Sequence, residues 1–363
     1  MPTAPTQDCR PGEELDLGRL RAFLSAQDLT PGTLSAVRQF RGGYSNLTYL
    51  LAFRQNPATT PHHLVLRRPP FGPRAAKAHD MGREYRALRG FAEASQDNVA
   101  LRGLAPEAHL YCDDESVIGA PFYLMSYVEG VTLRQPGGPV LAKAKAAQAS
   151  ASLVQALARL HGIEVGGTGL AELGRPEGYV GRQVEGWIGR YERARTPDVS
   201  ALHELADYLR TEQPADLPGA LVHNDYKFDN VVFAPGDYTR VAAVLDWEMA
   251  TIGNPLMDLG LTLAYWAHAE EVTEMPFLGM NGTHAPGMLR REGLVEAYAK
   301  TYETPPVRSL TEMQWYYVFG NVKIAGIVQQ IYARYVAGHT RDKRFRDLGK
   351  VVDYLLIRAR RAL

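Results

Sequence analysis

Cysteine is scarce: Cys9 and Cys112 are the two in 363 residues. They stand far apart, in neither a disulfide framework nor a metal-ligand spacing, and this fits a reducing, cytoplasmic compartment. An excess of charge is also missing. Lys plus Arg number 40 and Asp plus Glu 40, so no global positive field recommends a nucleic-acid partner. No apolar run approaches the length of a membrane span. The segment Met1 to Asp8 lacks the basic head and apolar run of a signal peptide. No segment repeats at a fixed period or is of low complexity. What the chain does have is 45% hydrophobic residues, enough for a sizeable core, and a length that suits two lobes sharing a cleft.

One stretch carries chemistry. Leu221-Val222 lead into His223-Asn-Asp225-Tyr-Lys-Phe-Asp-Asn230, and Val231-Val232-Phe233 lead out. This pattern predicts two short strands around a tight loop. A second apolar run, Val241 to Leu245, delivers Asp246 at its end. Asp225, Asn230 and Asp246 come in the order that phosphoryl transfer needs. A carboxylate takes the proton of the attacking hydroxyl, then an amide and a second carboxylate hold magnesium. Asp and Asn are also ordinary turn residues. That reading would serve for either Asp alone, but not for the ordered set.

On His223-to-Asn230 and Leu245-Asp-Trp-Glu-Met-Ala-Thr-Ile-Gly-Asn-Pro-Leu-Met-Asp258 the chain resembles the aminoglycoside phosphotransferase and choline kinase-like family. The resemblance runs from about Leu34 to Val336. It is closest to the branch that in some organisms is fused to acyl-CoA dehydrogenases. It implies an α+β, two-lobed, protein-kinase-like fold, with an antiparallel sheet plus helix in the N-lobe and a mostly helical C-lobe. The expected lobes are residues 1–126 and 127–363, joined near Met125 to Gly130. It also implies transfer of the γ-phosphate of ATP or GTP to a small-molecule hydroxyl. By this resemblance Asp225 is the catalytic base, Asn230 and Asp246 hold Mg2+, and Asp258 braces the catalytic loop. Met125 to Val128, with Met125 and Tyr127 among them, would offer backbone groups to the nucleobase.

The nucleotide side reads as strand, turn, strand over Gln39 to Phe53, with Gly42, Gly43, Ser45 and Asn46 in the turn. Glycine lets backbone N–H groups approach phosphates. The turn is neither a Gly-x-Gly-x-x-Gly nor a Walker loop, and a plain hairpin turn is the competing reading. Strand His63 to Arg67 carries a cation where kinases commonly have Lys. Arg67 and Arg68 both qualify, and Glu84, on an amphipathic helix marked by Met81, Tyr85, Leu88 and Phe91, is the natural partner.

Other features read as structural. Gly166 to Gly169 is a loop after a helix, His161 a packed or capping residue, and His62-His63 a pair without companion metal ligands. His223 is a brace for its loop, Asp113-Asp114-Glu115 a solvated hairpin tip, and the first dozen residues are loose. Arg341 to Leu363 holds eight Lys/Arg against three Asp and reads as a final helix packed on the lobe with a solvated basic face, a membrane- or partner-binding helix being the alternative.

The acceptor is less legible. Glu270, Glu271 and Glu274 form an acidic cluster, but His268, Arg290 and Arg291 lie near them, and that mixture does not argue strongly for a polycationic aminoglycoside. The resemblance points to hydroxy-acids or hydroxyacyl-CoA thioesters. Trp247, Tyr226, Asn321 and Lys323 are candidate lining residues. The short span from Asp246 to Asp258 leaves no room for the activation segment of a protein kinase. The alternatives are a true aminoglycoside or choline-type kinase, and a nucleotide-binding scaffold with little catalysis, suggested by Arg in place of Lys.

Overall fold

The computed structural model describes residues 6–363 apart from 28, 30, 31, 42–45, 57, 72–79, 97, 99, 100, 134–138 and 341. The first third is built on strands β1 (Thr6–Gln7), β2 (Thr33–Phe40), β3 (Leu47–Arg54), β4 (His62–Arg68), β5 (Ala108–Cys112) and β6 (Phe122–Ser126). They form one antiparallel sheet in the order β1-β2-β3-β4-β6-β5. Helices α1 (Leu17–Ser25), α2 (Met81–Ala94) and α3 (Glu115–Ile118) accompany it.

The period-two alternation of strands divides the sheet into two faces. Tyr49, Leu51 and Phe53 of β3 and Leu64 and Leu66 of β4 join Leu20 and Leu24 of α1 in an outer core. Leu50, Val65, Tyr123 and Met125 face the other way, into the core that contains Met81, Leu88 and Phe91 of α2. Parity decides the cation that the sequence left open. Arg67 shares a face with Val65, toward α2, and Arg68 shares a face with Leu66. Two expectations change in this region. Thr6–Gln7 pairs with Gln39–Phe40, and Arg10 N–H donates to Gln39 Oε1 at 2.9 Å, so the start of the described chain is tied to the sheet edge. Asp114 does not sit at a hairpin tip: its carboxylate accepts Ser116 N–H at 2.8 Å and caps α3.

Beyond Ser126 the chain docks on the second half. Val131 and Phe233 exchange backbone hydrogen bonds of 2.9 Å. A Cβ at Gly130 would lie 2.3 Å from Phe233 O, so only glycine permits the approach. The rest is mainly helical: α4 (Lys143–His161), α5 (Tyr179–Ala194), α6 (His203–Thr211), α7 (Pro255–Tyr265), α8 (Ala269–Glu274), α9 (Arg291–Ala299), α10 (Gln314–Val336) and α11 (Leu348–Arg360). Among these run β7 (Ala220–Val222), β8 (Val231–Ala234), β9 (Asp237–Val244) and β10 (Thr251–Gly253). β7 pairs with β10, and β8 with β9. The two strands flanking the His223 loop therefore pair with other strands and not with each other.

α10 is apolar on nearly every side because it is enclosed on nearly every side, packing against α5, α6, α7 and α11. Its approach to α7 depends on two glycines. A Cβ at Gly260 would lie 2.5 Å from Tyr316 O, and one at Gly320 would lie 2.7 Å from Gly260 O. These are backbone atoms that cannot swing aside. Gly260→Ala should therefore lower stability by about 1–3 kcal/mol, read as a lower denaturant midpoint at unchanged slope. Gly293→Ala, where the nearest atom is Leu289 Cβ at 3.5 Å, is the matched control and should leave the midpoint within error.

Candidate active site

The loop between β7 and β8 is held from below by one buried carboxylate. Asp258, in the first turn of α7, accepts His223 N–H at 2.6 Å on Oδ2 and Asn224 N–H at 2.8 Å on Oδ1. His161 Nε2 lies 3.3 Å from the same Oδ2, and its Nδ1 lies 2.7 Å from Tyr298 OH. Burial alone would raise the Asp258 carboxyl. The His161 hydrogen bond, the nearby imidazoles and the His223 N–H outweigh it and hold the group below its ordinary value. The grip fixes an unusual backbone: Asn224 has φ of 66°, and the Asp246 backbone matches it at 66°. Such left-handed non-glycine residues are uncommon and concentrate at functional sites. The His223 ring braces the loop from a second direction, donating from Nε2 to Leu245 O at 2.8 Å and receiving Asp225 N–H on Nδ1 at 3.3 Å.

Asp225 emerges from this frame with its side chain one-quarter exposed (25%). Lys227 Nζ donates to both of its oxygens at 2.7 Å. Asn230 Nδ2 reaches Oδ2 at 3.0 Å, and Tyr265 OH reaches Oδ1 at 2.8 Å. Burial, and next the Asp225 charge, raise the Tyr265 phenol well above its ordinary value, so it stays a neutral donor. Lys227 and Tyr265 were not among the residues singled out in the sequence. Lys227 lies inside the motif and was open to recognition. Tyr265 arrives from the far end of α7.

Arg67 is buried on the α2-facing side of the sheet. Its guanidinium lies 3.0 Å from Glu84 Oε1 and 3.0 Å from Asp246 Oδ1, and Glu84 Oε1 also accepts Trp247 N–H at 3.2 Å. Burial pushes the Glu84 carboxyl up to about 7 against the pull of Arg67. Burial would likewise raise Asp246, but Arg67 prevails and holds it below its ordinary value. The guanidinium cannot shed its proton, so the cluster keeps a fixed positive centre. Arg67 Nε is buried and has no hydrogen-bond partner among the described residues. Arg68 points away: Nη1 donates to Ile118 O at 2.9 Å, and the group lies 3.7 Å over the Phe71 ring.

Asn46 is buried and donates to Glu248 Oε2 at 2.9 Å. Gly42, Gly43 and Ser45 lie outside the described residues. Met125 sits inside the β6 ladder, paired with Val65 and Ala108. Tyr127 is half-buried, its ring 5.9 Å from that of His63. No group of three or more His, Cys, Asp and Glu side chains is gathered for a metal among the described residues. Asn230 Oδ1 and Asp246 Oδ2 accept no hydrogen bond from those residues. Two hard oxygen donors at such a cleft fit Mg2+, which takes its other ligands from water and phosphate.

A cleft of about 420 Å³ opens beside Asn224, and Lys323, Trp187 and Glu248 line it. The other candidate lining residues do not reach it. Tyr226 is buried and donates to Leu153 O at 2.8 Å, and buried Trp247 donates to Val244 O at 2.9 Å. Asn321 is committed to Tyr317 O and Arg358. Lys323 Nζ donates to Asn224 O at 3.1 Å and Oδ1 at 3.0 Å. Burial pulls it down from 10.5 to about 8. The folded chain therefore binds fewer protons than the unfolded one between pH 8 and 10.5, and stability should rise with pH across that window. Lys323→Met removes this contribution. Denaturation series from pH 7 to 10 should show the parent gaining on the variant by on the order of 3 kcal/mol; curves that stay parallel would refute the buried ammonium.

Comparison with known proteins agrees with this architecture. Residues 36–310 match the model of the phosphotransferase enzyme family. The chain is 32% identical over 356 residues to acyl-CoA dehydrogenase family member 11 of Gallus gallus, covering 96% of this chain and 43% of that protein. It thus spans less than half the length of that relative. A Rhizobium johnstonii homoserine kinase is 29% identical over 185 residues, 48% of this chain and 52% of the kinase. A Ralstonia eutropha structure described as an aminoglycoside phosphotransferase superposes with TM-score 0.76 at 29% identity, over 96% of this chain and 99% of that one. Choline kinase of Cryptosporidium parvum shares the fold, with TM-score 0.59 at 10% identity over 90% and 89% of the two chains. The six-stranded antiparallel sheet, the helical second half and the cleft between them are the two-lobed kinase-like fold, and the chain belongs to the phosphotransferase enzyme family, as a kinase whose acceptor is an alcohol group.

Proposed function

We propose that the chain transfers the γ-phosphate of ATP, or of GTP, to the hydroxyl of a small hydroxy-acid or hydroxyacyl-CoA thioester. The observation that carries this reading is a chain of contacts: Asn230 lies 3.0 Å from Asp225, Arg67 lies 3.0 Å from Asp246, and Leu245 N–H donates to Asn230 O at 2.8 Å between them. Asp225 orients the acceptor hydroxyl and takes its proton as the oxygen attacks phosphorus. Lys227, now bound to Asp225, lies where it can turn to the transferring phosphoryl group and offset its charge. Arg67, with its unpartnered buried Nε, fixes the tail of the triphosphate, and Glu84 fixes Arg67. Asn230 and Asp246 would hold Mg2+, which when bound neutralises charge on the phosphates. Gly42, Gly43, Ser45 and Asn46 are assigned the role of meeting the phosphates, and Met125 and Tyr127 that of meeting the base. The lobes divide at 126/127.

Three observations weigh on the alternatives. A scaffold without catalysis was motivated by Arg in place of Lys, yet Arg67 keeps a carboxylate on each side. A polycationic acceptor needs exposed acidic groups. Glu270, Glu271 and Glu274 are each spent on an arginine: Arg290 at 2.6 Å, Arg291 at 2.7 Å and Arg361 at 2.8 Å. The relatives named for acyl-CoA dehydrogenases support the thioester end of the range. Among the described residues no helix is long and apolar enough to cross a membrane, and both cysteines are free thiols, which supports a cytoplasmic setting.

Asp225→Ala should cut kcat by about 10²–10⁴-fold and leave nucleotide affinity little changed. Turnover retained in that variant would remove Asp225 from the chemistry. An ADP-release screen with ATP and GTP over aminoglycosides, choline-like alcohols, hydroxy-acids and hydroxyacyl-CoAs tests the acceptor. Activity confined to aminoglycosides would sink the hydroxy-acid reading.

A further inference from the structure

The acceptor-side cleft has a charge pattern that phosphoryl transfer by itself does not require. Arg83, Arg175, Arg182, Arg190 and Lys323 line it, against one carboxylate, Glu248. The whole chain has a net charge of zero, so this is a local concentration of positive charge. It is also not neutralised from within. Arginines elsewhere on the second half, such as Arg210 and Arg290, sit on carboxylates at 2.7 and 2.6 Å. None of the four cleft arginines has a carboxylate partner among the described residues.

Their contacts orient them without cancelling charge. Arg83 donates to Leu173 O at 2.7 Å and Ala250 O at 2.8 Å. Arg182 donates to the carbonyls of Glu177 and Arg175. Arg190 lies 4.6 Å over the Trp187 ring, and Lys323 Nζ lies 5.5 Å over the same ring. Glu248 is engaged by Asn46 across the cleft. Like charges gathered on a concave wall repel one another and focus a positive field. A site that keeps them together is complementary to an anion, and guanidinium groups match the oxygens of phosphate and carboxylate. The link to the reacting end is spatial: Lys323 lines the cleft, donates to Asn224 and lies close enough to Asp225 to feel its charge, so an anion seated there can present a hydroxyl toward Asp225.

We infer that this cleft is an anion subsite that seats a phosphate or carboxylate group of the acceptor, with Arg175, Arg190 and Lys323 selecting it. The inference rests on the phosphotransfer reading for its orientation toward Asp225, and it deepens that reading by naming the charge of the acceptor. It makes Trp187 the apolar floor against which two of the cations are stacked. It also makes ammonium-bearing acceptors poor substrates, because they would meet repulsion at the subsite.

The test is calorimetric, on the full chain with its nucleotide site saturated by Mg2+ and AMP-PNP. Inorganic phosphate and succinate are titrated separately. At least one should bind saturably, and Arg175→Gln/Arg190→Gln should weaken it about tenfold. Both arginines are exposed, so the variant should melt with the parent and keep its AMP-PNP affinity. Phosphate binding alone assigns a phosphorylated acceptor, and succinate binding alone a carboxylate acceptor; either supports the subsite. No binding of either anion, or equal binding by the double variant, overturns it. Failure of the parent reading looks different: anion binding would persist while no hydroxyl compound stimulated ADP release.

Discussion

Among the described residues, the guanidinium of Arg67 makes the most deeply buried ion-pair contact between the first third of the chain and the rest. It comes from β4, pairs with Glu84 of α2 and reaches Asp246 beyond β9. Each partner alone would be a costly thing to bury. Together they set the distance between the sheet, the helix and the strand end that borders the His223 loop. The two ion pairs are not equivalent. Glu84 is almost fully enclosed (1% exposed), whereas Asp246 keeps 30% of its side chain accessible. Loss of Glu84 would strand the charge in the interior, at a cost of about 3–5 kcal/mol. Loss of Asp246 would leave water able to compensate. The enclosed pair is therefore the structural member and the accessible one the member that can exchange partners.

A second buried carboxylate organises the other side of the cleft. Asp258 is enclosed, and it holds two consecutive N–H groups of the loop and so fixes Asn224 in a left-handed conformation. α7 carries Asp258 at its start and Tyr265 at its end, so one helix braces the loop and also touches Asp225. The Gly260 and Gly320 approach locks α7 to α10, and α10 brings Lys323 to Asn224. Loop geometry is thus inherited from helix packing.

What was legible in the sequence follows from distance along the chain. The strands and helices were readable because their apolar periods are local. The two-lobed architecture followed from motif resemblance. The contact of Arg67 with Glu84 was readable as a pairing of types, and the choice between Arg67 and Arg68 needed the sheet's parity. Tyr226 and Trp247 misled because nearness to Asp225 and Asp246 in sequence says nothing about direction: both rings turn into the core, where their polar tips find carbonyls. The cationic wall was invisible for the opposite reason. Arg83, Arg175, Arg182 and Arg190 are scattered over α2, the segment before α5, and α5 itself, in a chain whose total charge is zero. Only folding gathers them.

The arginine at position 67 has one practical consequence. A lysine at this place could lose its proton and become a nucleophilic amine. A guanidinium that stays protonated, enclosed between two carboxylates, offers no nucleophilic lone pair to such an electrophile. Amine-directed acylation would therefore leave position 67 unmodified, where a lysine could be labelled.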